Sequence, residues 1–249
     1  RVEERAVVEV GIVSRRFVPS LSLRDPFVFD AFDGTWSLMN RTNSHAAPVP
    51  QELGGHLGYP PGWFVHTAAK MVSIDLFDEH PEYFAEIDGQ RRRERNGRHP
   101  AQLCLTNPEV PRLASESVLR VLAENPQARL ISVSPNDGGD YCQCSVCSAL
   151  NEAEQSGGAT LLQFVNRVAQ AIETKHPDVR IVHLAYLGTD SATKTIRPRD
   201  NVVVMFATDY DAWRWPFVPY SDTEVTRRRL APWAEIGAHV YIWDYVTNF

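Results

Sequence analysis

The segment Leu130–Gly139 constrains the fold of this chain more than any other part of the sequence. It opens with a short, apolar, β-branched run that is typical of a buried strand, and Pro135, which cannot donate to a sheet ladder, ends that run. Asn136 and Asp137 then fall at the carboxyl end of the strand, where alternating strand–helix folds carry their chemistry. An Asn-Asp-Gly-Gly run is also typical of a plain turn, and the sequence leaves both roles open for Asp137.

The charge and hydropathy of the chain exclude two classes of partner. The formal net charge of -6 gives little electrostatic support for binding nucleic acid. No apolar run approaches the length that a bilayer requires, so we expect no membrane span. The first five residues are mostly charged with no apolar segment behind them, and we expect no signal peptide within this chain. The 249 residues are enough for one large α/β domain with a full core.

Strand-like and helix-like segments alternate along the chain, which indicates a parallel sheet. We predict helices that begin at Asp33, at Asn107-Pro108, at Ala159 (running to Thr174) and at a capping-box spacing that starts at Ser221. The predicted strands are Leu21–Phe29, Trp63–Thr67, Leu103–Thr106, Leu130–Ser134, Val179–Tyr186, Asn201–Ala207 and His239–Tyr245. We therefore expect a lead-in over residues 1–20 and, over 21–249, a (β/α)8 TIM-type barrel truncated to seven strand–helix units, with the eighth missing.

Polar and aromatic side chains recur at the predicted strand ends, where a barrel would gather them on one face. Carboxylates in such a ring suit glycoside hydrolysis, in which one protonated carboxyl donates to the leaving oxygen and a second stabilises the oxocarbenium-like centre or activates water. We predict Asp137 as the general acid and Asp244 or Asp209 as its partner. The predicted substrate-binding residues are His66, Asn107, Asn136, Tyr186, Tyr210, Trp213 and Trp243.

A basic run at Arg91–Arg98 holds five arginines within eight residues. Charge runs are commonly solvated loops. The planar fork of arginine also suits a clamp for an acidic sugar group, and the sequence leaves both interpretations open.

All four cysteines lie between Cys104 and Cys147, with Cys142 and Cys144 completing a Cys-x-Cys-x-x-Cys spacing. Three interpretations remain open. The four sulfurs could hold a structural zinc ion in a tetrahedral site. The spacing also allows one disulfide, which an exported protein would favour, and buried free thiols are the third alternative.

Long motifs resemble one bacterial family over nearly the whole chain after about Pro19. They are Trp63–Thr67, Asp78–Phe84, Cys104–Val110, Ser132–Gly139, Tyr141–Cys144 and Tyr241–Phe249. The family they resemble is domain of unknown function 4838 (DUF4838). The resemblance implies a glycoside-hydrolase-like barrel similar to those of α-glucuronidases and β-N-acetylhexosaminidases, a carbohydrate-active role and export from the cell. The pair Asn136-Asp137 resembles the Asn-Glu and Asp-Glu pairs that such barrels carry after the fourth strand.

Three functions follow from these patterns. The first is a glycoside hydrolase that acts on a polysaccharide or oligosaccharide, with uronic-acid or N-acetylhexosamine residues among the substrates that the resemblance implies. The second is a carbohydrate-binding barrel without turnover. The third is a structural module built on the cysteines, with zinc as its only cofactor.

Overall fold

The computed structural model describes Gly11, residues 18–208 and residues 223–244. The chain divides into two compact units, residues 1–55 and residues 56–249. The first unit contains the helix α1 (Gly34–Asn40), flanked by 3-10 turns at Phe29–Phe32 and Gln51–Leu53. The carboxylate of Asp33 accepts a hydrogen bond from the backbone N–H of Trp36 at 2.7 Å, which confirms the predicted helix cap. The predicted strand Leu21–Phe29 is wrong, since no strand forms there.

The second unit holds all the strands of the described residues. Two short antiparallel hairpins come first, and four parallel strands follow in the order β5-β6-β7-β8. The strands are β1 (Glu86–Ile87), β2 (Gln90–Arg91), β3 (Glu94–Arg95), β4 (His99–Pro100), β5 (Leu130–Ser132), β6 (Arg180–Ala185), β7 (Val202–Ala207) and β8 (His239–Trp243). The last four strands confirm the corresponding sequence predictions.

Five helices accompany these strands in the described part of the second unit. They are α2 (Ala68–Met71), α3 (Glu109–Glu124), α4 (Ser145–Glu154), α5 (Ala159–Glu173) and α6 (Thr223–Glu235), with further 3-10 turns at Ile74–Phe77 and Pro81–Tyr83. The helices α3, α5 and α6 confirm the predictions, whereas α4 has no counterpart among them. None of the helices in the described part of the chain combines the length and the apolar character needed to cross a membrane.

The larger part of the core joins α3 and α5 with residues of β5 and β6. A second part lies where α5 and α6 cover one face of the parallel sheet. Alternate residues of a strand share a face, and on this face Ala185, Val204 and Phe206 pack with Leu162 and Trp233 from the two helices. All six residues of β7 are buried, because this strand lies between β6 and β8 and both of its faces are covered. The result is a rigid edge from which the loops after β5 and β6 project.

The predicted truncated (β/α)8 barrel is wrong, since the described residues show one parallel sheet of four strands beside two antiparallel hairpins. Around Leu103 the chain bonds instead to the segment before β1: Cys104 donates to Tyr83 O at 2.8 Å and Ala85 donates to Gln102 O at 2.8 Å. This direction is antiparallel, so the predicted third strand cannot join the parallel sheet.

The predicted strand Trp63–Thr67 is wrong for a different reason. It lies beside β5, and Trp63 O accepts from Ser132 N at 3.0 Å, but the ladder stops there. His66 has a φ of +51°, a left-handed conformation that bends the chain out of a strand. The hydroxyl of Thr67 then bonds to Ser132 O at 2.9 Å in place of a backbone N–H.

A buried carboxylate fixes the segment that connects β6 to β7. Glu154, in the last turn of α4, accepts hydrogen bonds from Thr195 N at 2.7 Å, from the Thr195 hydroxyl, and from Ile196 N at 3.1 Å. Burial alone would raise the pKa of Glu154, but these three donors outweigh it and hold the pKa below the ordinary value of 4.5.

We predict that Glu154→Gln lowers the free energy of unfolding by about 2–3 kcal/mol at pH 7, because an amide cannot accept from all three donors. A lowered folded-state pKa stabilises the native state above pH 4.5, and the stabilisation is lost as pH falls through the folded value. Urea denaturation at pH 7 and pH 3.5 should therefore give a difference between wild type and variant that shrinks at the lower pH. Glu152→Gln, an exposed carboxylate on the same helix, is the control; equal losses from both variants would contradict the assignment.

Candidate functional site

The loop that follows β5 is held by two amide side chains. The buried Gln102 accepts from Asn136 N at 3.0 Å and donates to Asn136 O at 2.8 Å, so that it satisfies both backbone groups of that residue. The side chain of Asn136 accepts from Ala69 N at 3.0 Å and donates to Ala101 O at 2.9 Å. Asn136, predicted to bind substrate, is therefore buried and joins three separate stretches of chain.

Directly after the buried Asn136, the side chain of Asp137 is 69% exposed and lies beside His66. The two meet at 3.7 Å between Asp137 Oδ1 and His66 Nε2. His66 Nδ1 lies 3.1 Å from Pro135 O, and because a carbonyl only accepts, Nδ1 carries the proton. The neutral imidazole thus presents the lone pair of Nε2 toward the carboxyl group, while the protonated imidazole would form an ion pair with it.

Tyr186 completes this group from the end of β6. Its ring centroid lies 6.4 Å from that of His66, and its side chain is half-buried. His66 has a φ of +51°, Asp140, which follows Asp137 by three residues, has a φ of +60°, and Leu187, which follows Tyr186, has a φ of +37°. This conformation costs a non-glycine residue free energy. The structure therefore brings together Asp137, His66 and Tyr186 of the predicted site residues.

For three other predicted residues the structure shows different partners. Asn107 accepts from Glu109 N at 2.9 Å and donates to Glu82 O at 3.2 Å, which places its amide at the start of α3. At the end of β8, Trp243 stacks near Phe64 with ring centroids 5.7 Å apart, and Asp244 accepts from the hydroxyl of Thr208 at 2.6 Å. The predicted Asp209, Tyr210 and Trp213 lie outside the described residues.

The four cysteines form one buried cluster, as predicted. Their sulfur atoms all lie within 4.8 Å of one another, all four side chains are buried, and no disulfide joins them. Cys144 caps the start of α4 and Cys147 lies in its first turn, so the tight spacing follows from the helix start. The sequence predicts this arrangement correctly, and the structure makes the set Cys104, Cys142, Cys144 and Cys147 able to hold a metal ion.

The surroundings of the cluster favour negative charge on one sulfur, that of Cys104. Hydrogen bonds from the Cys142 and Cys147 thiols hold the pKa of Cys104 well below its usual range. Because both thiols donate to Cys104, the pKa of Cys142 is raised to about 11 and the pKa of Cys147 is raised as well. Glu86 N donates to Cys142 Sγ at 3.3 Å, and the Arg91 guanidinium lies 3.7 Å from the same sulfur. A backbone donor and a cation thus lie next to the cluster.

The distances fit a tetrahedral metal site. Metal–sulfur bonds of about 2.3 Å separate the sulfurs of such a site by about 3.8 Å. Cys104 Sγ and Cys144 Sγ lie 3.8 Å apart, and the 4.8 Å bound on the other pairs requires shifts of no more than about 1 Å. Ligands that are all thiolate suit zinc or another soft cation rather than magnesium or calcium.

Arg95 is a residue of this region that sequence reasoning did not single out. Its guanidinium lies against Gly138, so closely that a Cβ on Gly138 would lie only 1.7 Å from Arg95 Nη1. Gln102 was also missed, because a polar residue between Ala101 and Leu103 carries no local signal. Only the run Arg91–Arg98 marked Arg95, and it did not distinguish one arginine from the others.

Together, the fold and the site define an α/β protein in which the loop after a parallel strand leads directly into a four-cysteine cluster. The chain belongs to the family described as Domain of unknown function (DUF4838), whose family model matches residues 3–249. This match confirms the family predicted from the motifs. No curated protein matches the chain in a sequence comparison.

We predict that Gly138→Ala destabilises the protein by about 1–3 kcal/mol, since a side chain there meets a φ of +96° and must displace the Arg95 guanidinium. Gly139→Ala is the matched control, because nothing lies within 4 Å of a Cβ at that position. Chemical denaturation of both variants measures the difference. Equal stability of the two variants would contradict the strain that the φ of Gly138 implies together with its contact with Arg95.

Proposed function

We propose that this protein hydrolyses glycosidic bonds, with Asp137 as the proton donor. The observation that carries the proposal is the placement of Asp137: an exposed carboxyl beside His66, at the carboxyl end of a parallel strand. The neighbouring Asn136 and Gln102 are buried and hold the loop rigidly. Catalytic groups are found on such strand-end loops because a rigid sheet fixes their position.

In this proposal the chemistry takes place on the exposed side of the loop. Protonated Asp137 donates its proton to the glycosidic oxygen, and the bond from that oxygen to the anomeric carbon breaks. A water oxygen bonds to the carbon, and the proton that the water loses passes to a carboxylate of the site. The lone pair of His66 Nε2 can accept a hydrogen bond from a sugar hydroxyl or from the Asp137 proton. The Tyr186 ring offers a flat apolar surface to the C–H face of a sugar.

A second carboxylate is required to stabilise the positive charge that develops on the sugar. We propose Asp244, which directly follows β8 and accepts a hydrogen bond from the Thr208 hydroxyl at 2.6 Å. Asp209, which follows β7 directly in the sequence, is the alternative. The carbohydrate-binding protein without turnover remains the competing function, and the same variants separate the two.

We predict that Asp137→Asn lowers turnover by about 10²–10⁴-fold and leaves sugar binding intact, because the amide keeps the shape but donates no acidic proton. The measurement uses 4-nitrophenyl glycosides of hexoses, uronic acids and N-acetylhexosamines, with reducing-sugar release from polysaccharides as a second assay. Asp140→Asn is the matched control: Asp140 is an exposed carboxylate of the same loop with a φ of +60°, which asparagine tolerates.

Two results would contradict this prediction. Full turnover in Asp137→Asn would remove Asp137 from the chemistry. Binding of a sugar by the wild type with no cleavage of any substrate would favour the binding protein, and the absence of both binding and cleavage would reject a carbohydrate function altogether.

We also propose that the four-cysteine cluster binds one structural zinc ion. Four thiolates around Zn²⁺ leave two negative charges, which the Arg91 guanidinium and the Glu86 N–H partly compensate. With four protein ligands no position remains open for substrate, so the metal would stabilise the fold. It would fix the end at Cys142 of the loop that carries Asp137, whereas Gln102 already holds the end at Asn136.

We predict one zinc per chain, measured by inductively coupled plasma mass spectrometry on protein purified under reducing conditions from zinc-supplemented medium. Cys147→Ser should lose the metal and several kcal/mol of stability, whereas Ser145→Ala, exposed between two of the ligands, should keep both. Cobalt substitution of the wild type provides a test that does not depend on the folding of the variant, since four thiolates give strong thiolate-to-cobalt charge-transfer absorption. Zinc-free wild type, or cobalt protein without that absorption, would reject the site.

A further inference from the structure

Arg95 occupies an unusual position beside the loop that carries Asp137. Its guanidinium carbon and both terminal nitrogens lie 1.7–2.3 Å from where a Cβ of Gly138 would be. Only a glycine permits this approach, and Gly138 directly follows Asp137 in the chain. The guanidinium thus lies against the backbone next to the proposed proton donor.

The charge of Arg95 is not neutralised within the described part of the chain. Among the arginines of the same two hairpins, Arg91 pairs with Glu86 at 3.5 Å and Arg93 pairs with Asp78 at 2.8 Å. No carboxylate of a described residue lies within 4.0 Å of the Arg95 guanidinium, and its N–H groups donate no hydrogen bond to a described residue. Arg95 is half-buried, so part of its hydration is also removed.

The loop backbone does not supply the missing partner. The carbonyls of Gly138 and Gly139 accept from Gln102 Nε2 at 3.2 and 3.3 Å, and the Arg95 guanidinium lies against Gly138 without donating to the loop backbone. A guanidinium held in this way keeps its forked N–H groups free for a planar anion such as a carboxylate.

We propose that Arg95 binds the carboxylate of a uronic acid residue of the substrate, next to the bond that Asp137 cleaves. The position of the uronate beside the cleaved bond rests on the proposed hydrolase function. The assignment adds the class of substrate that this site binds. A carboxylate presents two coplanar oxygens that match the arginine fork, whereas a neutral sugar offers no charge in return.

The experiment compares methyl glycosides of glucuronic and galacturonic acid with their methyl esters, which differ only in the charge at C6. Binding to the wild-type protein is measured by calorimetry and ligand-observed NMR at low salt. We expect at least one free acid to bind about 10-fold or more tightly than its ester, and we expect Arg95→Ala to abolish that difference. Arg95→Lys should keep part of it, because lysine retains the charge and loses the fork.

Arg92→Ala is the matched control, since Arg92 is an exposed arginine in the segment between the same two hairpins and should leave the preference for the free acid unchanged. Equal binding of acid and ester by the wild type, no binding of either, or an unchanged preference in Arg95→Ala would each overturn the assignment. Thermal melting of every variant confirms the fold. If Arg95→Ala loses the preference while Asp137→Asn cleaves substrate normally, the Arg95 assignment stands and the proposed catalytic role fails.

Discussion

The pair of hydrogen bonds between the Gln102 side chain and the backbone of Asn136 is the interaction on which the site depends. β5 ends at Ser132, so no neighbouring strand bonds to the backbone of Asn136, and the Gln102 side chain bonds to it instead. Because Gln102 belongs to the segment that bonds antiparallel to residues 83–85, it also connects the parallel sheet to the hairpin region. A buried amide that lost either partner would leave polar groups unsatisfied, so this connection is rigid.

The hairpins and the cysteine cluster then form a single support for the loop. Cys142 accepts from the backbone of Glu86 in β1, and Arg91 in β2 reaches both Cys142 and Phe84 O. The side of the loop toward β5 is fixed by amides and its distal side by sulfurs, while Asp137 between them faces solvent. Residues of a binding loop that is held at both ends in this way keep their geometry when a ligand binds.

The sequence predicted the elements whose signals are local. The strands β5 to β8 are apolar runs, α3 and α5 have one apolar face each, and the cysteine spacing identified its own cluster. The prediction failed where the partner of a segment decided its structure. The runs at Trp63 and Leu103 are as apolar as a strand, but one is bent at His66 and the other bonds in the antiparallel direction. Gln102 and Arg95 act on residues more than thirty positions away, which no local pattern contains.

The strand β7 has a consequence for the synthesis of the chain. It consists of six consecutive apolar residues without a charge, a composition that promotes aggregation when such a segment is exposed. In the folded protein both of its edges are covered, by β6 on one side and by β8 on the other. As the ribosome delivers the chain from its amino end, His239–Trp243 arrives after β7, and until then β7 presents an open edge to other chains. The yield of soluble protein therefore depends on how quickly β8 docks.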